Sequence, residues 1–319
     1  MLFPEKWRKP DFGRRAMSIM NSLKKRKKAA VFDIVNTLLV VLITAITAYP
    51  LYFCVIASLS DPVEVAAGHT LFGIQGFTLD AYALVLQEEQ LWTGYRNTII
   101  YTVLATLYRL AFTIPAAYVL SKDQLPFKGI LSWYFFITMY ISGGMIPEYL
   151  LIKDLGLLNN PLVMIVGSGV NAYNLIVTRQ YFSANIHQSL CDAAYMDGAG
   201  EWCTFSKIAL PLAKPIIAVM ALYIGVGTWN TYYKALLYIY DKDYYPLQLV
   251  LRNILNANQL DLSNIQGAAS DLENLIYRAN MAQGMKYSIV IVASIPLIMI
   301  YPFLQKYFEK GVMVGSVKG

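Results

Sequence analysis

The stretch Leu190–Pro215, LCDAAYMDGAGEWCTFSKIALPLAKP, is a polar island between strongly apolar segments. It opens with an acidic residue and two alanines, continues to a glycine, and closes on apolar residues followed by proline. These residues are Asp192, Ala193, Ala194, Gly198, Ile208, Leu210 and Pro211. Because charged and polar residues are costly inside a bilayer, the island indicates a place where the chain leaves a membrane and then returns to it.

The island predicts a short helix from Leu190 to Met196. Ser189, three residues before Asp192, fits a capping box in which Asp stands in for the usual Glu or Gln. Gly198 can take the left-handed conformation that ends a helix and turns the chain. The first part of the island is therefore predicted to be a capped helix followed by a tight turn.

A second helix is predicted to start near Gly200 and to run through Phe205 and Ile208, with Pro211 and Pro215 at the entry to the next apolar segment. Spacing of i, i+3, i+4 and i+7 places four residues on one face of the first helix. They are Leu190, Ala193, Ala194 and Asp197. Small alanines let another protein come close, so the two helices form a knob suited to a partner's groove. The alternative is an ordinary cytoplasmic loop with capped helices.

The composition is that of a membrane protein. Hydrophobic residues make up 57% of the 319 residues and charged residues 14%, against about 25% charged in soluble domains. Apolar stretches of about 20 residues can cross a bilayer. Six of them predict an all-α integral membrane protein with six transmembrane helices: about 33–58, 97–120, 130–149, 161–182, 212–237 and 284–305. Gly and Pro interrupt the third and fourth spans, whose ends are therefore the least defined.

The distribution of Lys and Arg orients these spans. With the N-terminus inside, 18 Lys and Arg fall in inside segments and seven in outer segments, which is the bias expected of cytoplasmic termini. The predicted parts are a basic cytoplasmic tail at 1–32, a six-helix domain at 33–305 and a cytoplasmic tail at 306–319. The loop at 189–211 is then cytoplasmic. Outer loops at about 59–96 and 238–283 are predicted as a solvated cover or as a docking surface for a soluble partner.

Missing motifs exclude several classes of function. The basic run Lys24–Lys28 leads into an apolar segment, so it is a topology anchor and not a nucleic-acid site. No G-x-x-x-x-G-K-[ST] loop occurs, so the chain is not a nucleotide-binding subunit. Three cysteines and two histidines lack the spacing of a zinc site. Within the spans there is no paired Asp, Ser/His pair or H-E-x-x-H motif that would support an intramembrane enzyme.

The order of residues in the island resembles the "EAA" signature of permease subunits of ATP-binding-cassette importers. Within that class the chain resembles sugar-importer permeases related to MalG, and most of all their LplC branch, associated with complex oligosaccharides and polysaccharide fragments. The resemblance covers roughly 30–319 and extends to five further stretches. They are GGMIP at 143–147, YLLIKDLGLLN at 149–159, GTWN at 227–230, YPLQLVLR at 245–252 and YPFLQKYFEKG at 301–311. Asp192 departs from the usual Glu, which keeps the charge but shortens the reach.

The resemblance implies a type I importer permease fold in a bacterial cell membrane. Such a permease forms a heterodimer with a homologous second permease, binds two ATPase subunits, and receives substrate from an extracellular or periplasmic binding protein. It is not itself an enzyme and binds no cofactor, because ATP and Mg belong to the ATPase subunits. By resemblance, Asp192, Ala193, Ala194 and Gly198 belong to the coupling helix. Leu190 and Asp197, on the same predicted face, complete the predicted ATPase-coupling set.

Polar and aromatic residues inside the spans are candidates for the substrate pathway, because sugar rings stack on aromatic faces and sugar hydroxyls pair with amides. The candidates are Asn171, Tyr173, Asn174, Trp229, Asn230, Tyr232 and Tyr233. Trp and Tyr are also enriched at membrane interfaces, so interface or packing roles stay open for them. Arg109 stands alone in the second span; it faces either the subunit interface or cavity, or snorkels to the inner interface.

Two alternatives to an oligosaccharide importer remain. A permease for another solute, such as a polyol or a peptide, would use the same architecture. An ion-coupled secondary transporter would want intramembrane carboxylates, and the six spans contain almost none, with Asp33 at an end. The leading prediction is the permease subunit of a binding-protein-dependent importer that carries oligosaccharides or polysaccharide fragments and couples to ATP hydrolysis through the island.

Overall fold

The structure is a computed structural model that describes residues 12–167, 169–263, 280–282, 284–300 and 302, with side chains from 32 onward except 257–263. No strand occurs among these residues, in agreement with the predicted all-α fold. Fifteen α-helices follow one another in the described chain: α1 Phe12–Ser58, α2 Pro62–Ala66, α3 Asp80–Gln87, α4 Glu89–Ser121, α5 Lys128–Ile137, α6 Met145–Asp154, α7 Leu162–Val166, α8 Ala172–Asn185, α9 Gln188–Met196, α10 Glu201–Thr204, α11 Leu210–Leu212, α12 Lys214–Trp229, α13 Tyr233–Tyr238, α14 Leu247–Ser263 and α15 Asn280–Ile300.

Three of these helices are long and apolar enough to cross a membrane unaided. They are α4, α15 and the part of α1 from Phe32 to Ser58. A fourth span arises if Glu201–Leu212 and Lys214–Trp229, which meet at an angle of 75°, act as one bent unit. Of the six predicted spans, the first, second and last are continuous helices, whereas the third, fourth and fifth are each divided into shorter helices.

The third and fourth predicted spans are broken near their middles. The third consists of α5 and α6, separated by a segment in which Gly144 has a φ of +84°. A positive φ is strained for residues other than glycine, and Gly144 takes this non-helical conformation immediately before α6 begins. The fourth consists of α7 and α8, and Asn171 caps the start of α8 by accepting a hydrogen bond from the Asn174 amide at 3.1 Å. The glycines and prolines noted in the sequence coincide with these breaks.

The fifth predicted span, 212–237, is also divided. The straight part, α12, runs from Lys214 to Trp229, and the chain turns at Asn230 before α13. Pro215 lies in the first turn of α12. Backbone amides in the first turn of a helix have no acceptor within it, so the proline costs no helical hydrogen bond there. The residues before Lys214 can therefore take a different direction, which produces the bend.

Helix α4 is the centre of the bundle. Near its Ser121 end it packs with α8, α12 and the segment from α10 to α11, around Tyr118, Phe182 and Phe205. Near its Glu89 end it packs with α12, α14 and α15 around Leu91 and Trp229. We call these two regions the lower half and the upper half. Since α4 packs against helices of both halves, it fixes their relative positions.

Residues 245–251 of the predicted outer loop pack into the upper half, so this part is not a solvated cover, while 240–244 are exposed. Leu247 is fully buried, and its amide donates a hydrogen bond to Thr98 Oγ1 at 2.7 Å. Asn97 Nδ2 donates to the Asp243 and Tyr245 carbonyls at 2.7 and 3.1 Å. Polar side chains of α4 thus satisfy the irregular backbone of this segment, which lets it enter an apolar region.

Two helices present mostly exposed apolar surface. The membrane-length part of α1 is almost wholly exposed, and α5 contains no buried residue. The backbone of α1 is helical from Phe12, so part of the predicted tail at 1–32 is continuous with the first span. The predicted tail at 306–319, and the part of the outer loop from 264 to 279, lie outside the described residues.

Candidate functional site: the α9 knob and an upper cavity

The polar island folds into the predicted knob, with a different start. Helix α9 begins at Gln188, two residues before the predicted Leu190, and ends at the predicted Met196. The capping box is wrong: His187 occupies the N-cap without a side-chain bond, and Ser189 lies inside the helix. One turn further on, Gln188 Nε2 donates to Asp192 Oδ1 at 3.0 Å. Residues spaced i, i+4 are neighbours on a helix surface, so this hydrogen bond follows from the helical conformation alone.

The turn at Gly198 is as predicted. Its φ is +81°, and its amide donates to the Tyr195 carbonyl at 3.0 Å. The Ala199 amide donates to the Ala194 carbonyl at 2.9 Å, closing the last turn of α9. These bonds satisfy carbonyls that the end of a helix leaves open. Gly198 therefore sets the angle between α9 and the segment that follows.

The two alanines of the island point to different sides of α9, which corrects the prediction that they share a docking face. Ala194 is buried together with Cys191, one turn earlier, against the rest of the chain. Ala193 is exposed. The exposed side of α9 and its turn, here called the docking face, consists of Leu190, Asp192, Ala193, Met196 and Asp197. Adjacent residues of a helix lie about 100° apart, so the boundary between the buried and the exposed side of α9 can fall between two neighbouring alanines.

A continuous path of helices joins the knob to α12. Gly200 is the N-cap of α10, as predicted, and a π-helical turn at Phe205–Ala209 leads to α11. Phe205 and Ala209 are buried in the lower half, with the Phe205 ring 5.0 Å from that of Tyr118. Because interiors are close-packed, a displacement of the knob is transmitted to the helices that these residues contact.

Lys122 links the end of α4 to the knob, a role that the sequence did not reveal. Its Nζ donates to the Tyr195 hydroxyl at 3.2 Å, lies 3.6 Å from Glu201 Oε2, and sits over the Tyr118 ring at 4.8 Å. Burial works against the charge, but the contacts with Tyr118 and Tyr195 outweigh it and hold the pKa of Lys122 above its usual range. In the sequence Lys122 counted only as one of the positive charges that orient the spans.

The predicted pathway residues separate into three groups. Asn171, Tyr173 and Asn174 lie at the break between α7 and α8, where Asn171 acts as a helix cap. Asn230, Tyr232 and Tyr233 lie exposed at the turn between α12 and α13. Trp229 is only 3% exposed and packs beside Tyr95 in the upper half. In this conformation Trp229 packs against Tyr95, which favours the packing role left open for it, and its place in the pathway stays a prediction.

A cavity of about 590 Å³ lies in the upper half between the broken third span and α13. Tyr233 lines it and donates a hydrogen bond to Met145 Sδ at 2.9 Å. Lys234 and Glu148, which were not among the predicted pathway residues, also line it. A lysine and a glutamate inside predicted spans were the signals that could have found it, since intramembrane charges are usually functional.

Arg109 lies near the middle of α4 and is half-buried. Among the described residues, its Nε is enclosed without a hydrogen-bond partner. The enclosed Nε near the middle of α4 disfavours snorkelling to the inner interface, and Arg109 is not among the residues that line the cavity.

Comparison with known proteins decides the class of the chain. The family described as "Binding-protein-dependent transport system inner membrane component" matches residues 91–314. The chain belongs to this family. Protein LplC of Bacillus subtilis is 36% identical over 303 residues, which cover 95% of the chain and all of LplC. The Bacillus subtilis polygalacturonan/rhamnogalacturonan permease protein YtcP is 34% identical, over 92% of the chain and all of YtcP.

A solved structure supports the fold. A chain of a bacterial ABC transporter involved in the import of the acidic polysaccharide alginate superposes with a TM-score of 0.77 at 31% identity, covering 88% of this chain and 98% of that one. The chain is therefore a multi-pass permease subunit of a binding-protein-dependent ABC importer, with the type I permease fold, in the cell membrane. Importers of this family work with a binding protein and an ATPase.

Proposed function

We propose that this chain forms the translocation pathway for oligosaccharides or polysaccharide fragments together with a homologous second permease. Two ATPase subunits below the pair and an extracellular or periplasmic binding protein complete the importer. ATP is hydrolysed on the ATPase subunits, and this chain is not catalytic. The termini are cytoplasmic, which places α9 on the ATPase side. The observation that carries this proposal is the α9 knob, a short exposed helix joined through a fixed turn to the lower half.

The coupling mechanism follows from the geometry of the knob. The docking face, with Leu190, Ala193 and Asp197, lies in a groove of the ATPase, a helix-in-groove contact. Ala194 and Cys191 hold the opposite side of α9 against the lower half. When ATP draws the two ATPases together, α9 moves with its partner, and Gly198 keeps the knob and the following helices at a constant angle.

Movement of the knob then reaches the pathway by two routes. One route is the bent segment through α10 and α11 into α12, whose buried Phe205 contacts Tyr118 of α4. The other is Lys122, which joins α4 to Tyr195 and Glu201 at the knob. Since α4 packs against helices of both halves, a shift at its lower end changes the upper cavity.

The substrate class rests on the relatives and on the candidate pathway residues. LplC-like relatives include permeases named for polygalacturonan/rhamnogalacturonan and for arabinooligosaccharides, so saccharides are the common class. Exposed Tyr232 and Tyr233 at the end of α12 offer aromatic faces for sugar rings, and Asn171, Asn174 and Asn230 offer amide groups. Trp229 is buried, so a packing role is favoured for it over contact with the saccharide.

The proposal is tested by purifying the chain in mild detergent with its neighbouring gene products. We expect a complex with a second permease and two ATPases, whose ATP hydrolysis rises on adding a saccharide-loaded binding protein. ATP-dependent saccharide uptake in proteoliposomes, insensitive to proton uncouplers, would complete the demonstration. A chain that purifies alone, or that moves solute without ATP, would contradict the proposal and favour an ion-coupled transporter.

A further inference from the structure

The loop between α1 and α3 contains an uncharged apolar stretch. Residues 70–79, TLFGIQGFTL, include no Asp, Glu, Lys, Arg or His. Leu71, Phe72, Ile74 and Phe77 are all exposed, and Phe72 shows 79% of its surface. Exposed apolar side chains that occur in a group mark a contact with protein or with membrane. The stretch is therefore a candidate interaction surface outside the substrate pathway and the α9 knob.

Two tyrosines of α1 hold the middle of this stretch against the first span. The Tyr49 hydroxyl donates a hydrogen bond to the Leu71 carbonyl at 3.1 Å, and the Tyr52 hydroxyl donates one to the Phe72 carbonyl at 2.7 Å. The rings of Tyr49 and Phe72 lie 6.2 Å apart. Both tyrosines belong to the part of α1 that is long and apolar enough to cross a membrane. Residues 71–74, here called the loop tip, are therefore fastened to the side of the span.

The loop tip lies below the outer end of α1. With the cytoplasmic N-terminus proposed above, Ser58 is that end. The 27 residues from Phe32 to Ser58 extend over about 40 Å, the thickness of a bilayer with its headgroup layers. Tyr52 and Tyr49 lie about 9 and about 14 Å below Ser58, and helix side chains lean toward the N-terminus, here toward the bilayer centre. The tip is therefore level with the boundary between headgroups and acyl chains.

The backbone of the loop is paired as irregular chain at this depth requires. Amides and carbonyls without a partner are costly in a bilayer, because no water is present to bind them. The tyrosine hydroxyls satisfy two carbonyls of the tip. Where the chain returns toward the surface, the Asp61 amide donates to the Gln75 carbonyl at 2.8 Å, and the Thr78 amide donates to the Leu59 carbonyl at 3.1 Å. Side chains of a span thus replace the water that a solvated loop would use.

We propose that the loop tip inserts Leu71 and Phe72 into the outer leaflet of the membrane, where phospholipid acyl chains cover them. Leucine and phenylalanine are side chains that membrane-surface anchors bury at this boundary. Interfaces with soluble proteins contain hydrogen bonds across them, and the side chains of the tip, LFGI, can form none. Glu64 Oε2 and His69 Nδ1, 2.7 Å apart, mark the aqueous side of the loop. The inserted tip anchors the outer end of α1 independently of the transported solute.

The test places a photoreactive side chain in the loop tip of the complete importer. The variant Phe72→p-benzoylphenylalanine keeps an aromatic side chain and, on irradiation, crosslinks to a neighbouring C–H bond. The matched control is Ala67→p-benzoylphenylalanine, at an exposed position that follows α2 and precedes the apolar stretch. The importer is reconstituted with saturating binding protein in vesicles of phosphatidylglycerol and phosphatidylethanolamine. The mass of the permease then shows what each probe has met.

We expect the Phe72 probe to add the mass of one phospholipid at least about tenfold more often than the Ala67 probe, as the burial of a phenylalanine side chain in hydrocarbon supports. If the Phe72 variant does not insert, Leu71→p-benzoylphenylalanine takes its place with the same expected result, because Leu71 is also exposed.

Three results would overturn the inference. A crosslink from the tip to the second permease or to the binding protein would identify a protein as the occupant. Absence of any crosslink from the tip would place it in water. Equal lipid crosslinks from the tip and from Ala67 would show that the tip is not selectively inserted. None of these results depends on whether the importer carries a saccharide, so the proposed function is tested separately by uptake.

Discussion

Lys122, the residue that follows α4, donates a hydrogen bond from Nζ to the Tyr195 hydroxyl of α9 at 3.2 Å. The two residues are 73 positions apart in the chain, yet the contact joins the central helix of the bundle to the knob. Glu201, just past the turn, lies 3.6 Å from the same Nζ. The ammonium group of Lys122 therefore connects the end of α4 to both α9 and α10, which follow one another on the proposed coupling route.

Replacing Lys122 with methionine, which keeps the length and removes the charge, should weaken coupling. Charge-assisted hydrogen bonds contribute about 1.5 to 3 kcal/mol, and the exposure of Glu201 reduces the effect of that ion pair. We expect binding-protein-stimulated ATP hydrolysis to fall several-fold in K122M, with the complex still assembled. K153M is the control, because Lys153 is an exposed lysine of α6, away from the end of α4. Equal losses of stimulated ATP hydrolysis in both variants would show that Lys122 has no specific role in coupling.

The pH dependence of this contact follows from the direction of the pKa shift. Since the pKa of Lys122 is raised in the folded chain, the stabilising contribution is fully present below the ordinary lysine pKa of about 10.4. It is lost only as the pH rises through the folded pKa. The deficit of K122M relative to the wild type should therefore be the same at about pH 6 and about pH 9. A deficit that disappears at the higher pH would show that another titrating group controls the contact.

Gly198 and Gly200 form a matched pair for testing the turn. Gly198 has a φ of +81°, and a β-branched residue there costs about 1 to 3 kcal/mol of backbone strain. Gly200 has a φ of −77°, and a Cβ added there would meet no other atom within 4 Å. We expect G198V to insert and assemble but to lose saccharide uptake, and G200A to retain both. Full uptake by G198V would show that the angle of this turn does not matter for transport.

Substitutions at Ala193 and Ala194 distinguish a docking role from a packing role. Leucine at buried Ala194 overfills the contact between α9 and the lower half, at a cost of about 1 to 3 kcal/mol, so the purified complex should unfold at a lower temperature. Leucine at exposed Ala193 should leave that temperature unchanged and lower ATPase-coupled uptake. The opposite pattern, with only A193L less stable, would mean that the two faces of α9 are reversed.

Substitutions at Trp229 and Tyr232 distinguish a packing role from a role in the substrate pathway. Trp229 is buried beside Tyr95, and truncating a buried aromatic residue to alanine costs about 3 to 5 kcal/mol. We expect W229A to lower the thermal stability of the complex sharply. Y232A, at an exposed position, should leave stability unchanged and reduce uptake. A W229A variant with normal stability but weakened saccharide uptake would place Trp229 in the pathway.

The features that the sequence predicted are those set by neighbours in the chain. The α9 helix, the Gly198 turn and the breaks near Gly144 and Asn171 depend on caps and backbone preferences over a few residues. The contacts of Lys122 and Lys234 and the burial of Trp229 depend on residues far away in the chain. Hydropathy also assigned 245–251 to an outer loop, because it could not show that polar side chains of α4 satisfy that backbone. Only the folded arrangement supplies this information.

Saccharide uptake and ATP hydrolysis, measured in the same proteoliposomes for A193W and A184W, test the coupling role of α9 most directly. Both alanines are exposed, but Ala184 lies on α8 and outside the docking face. We predict that A193W assembles with its partner permease but that its saccharide uptake falls at least about tenfold. Such a fall corresponds to a lost contact of about 1.4 kcal/mol. A184W should transport at the wild-type rate. An A193W importer that moves as much saccharide per ATP and per minute as the wild type would contradict coupling through α9.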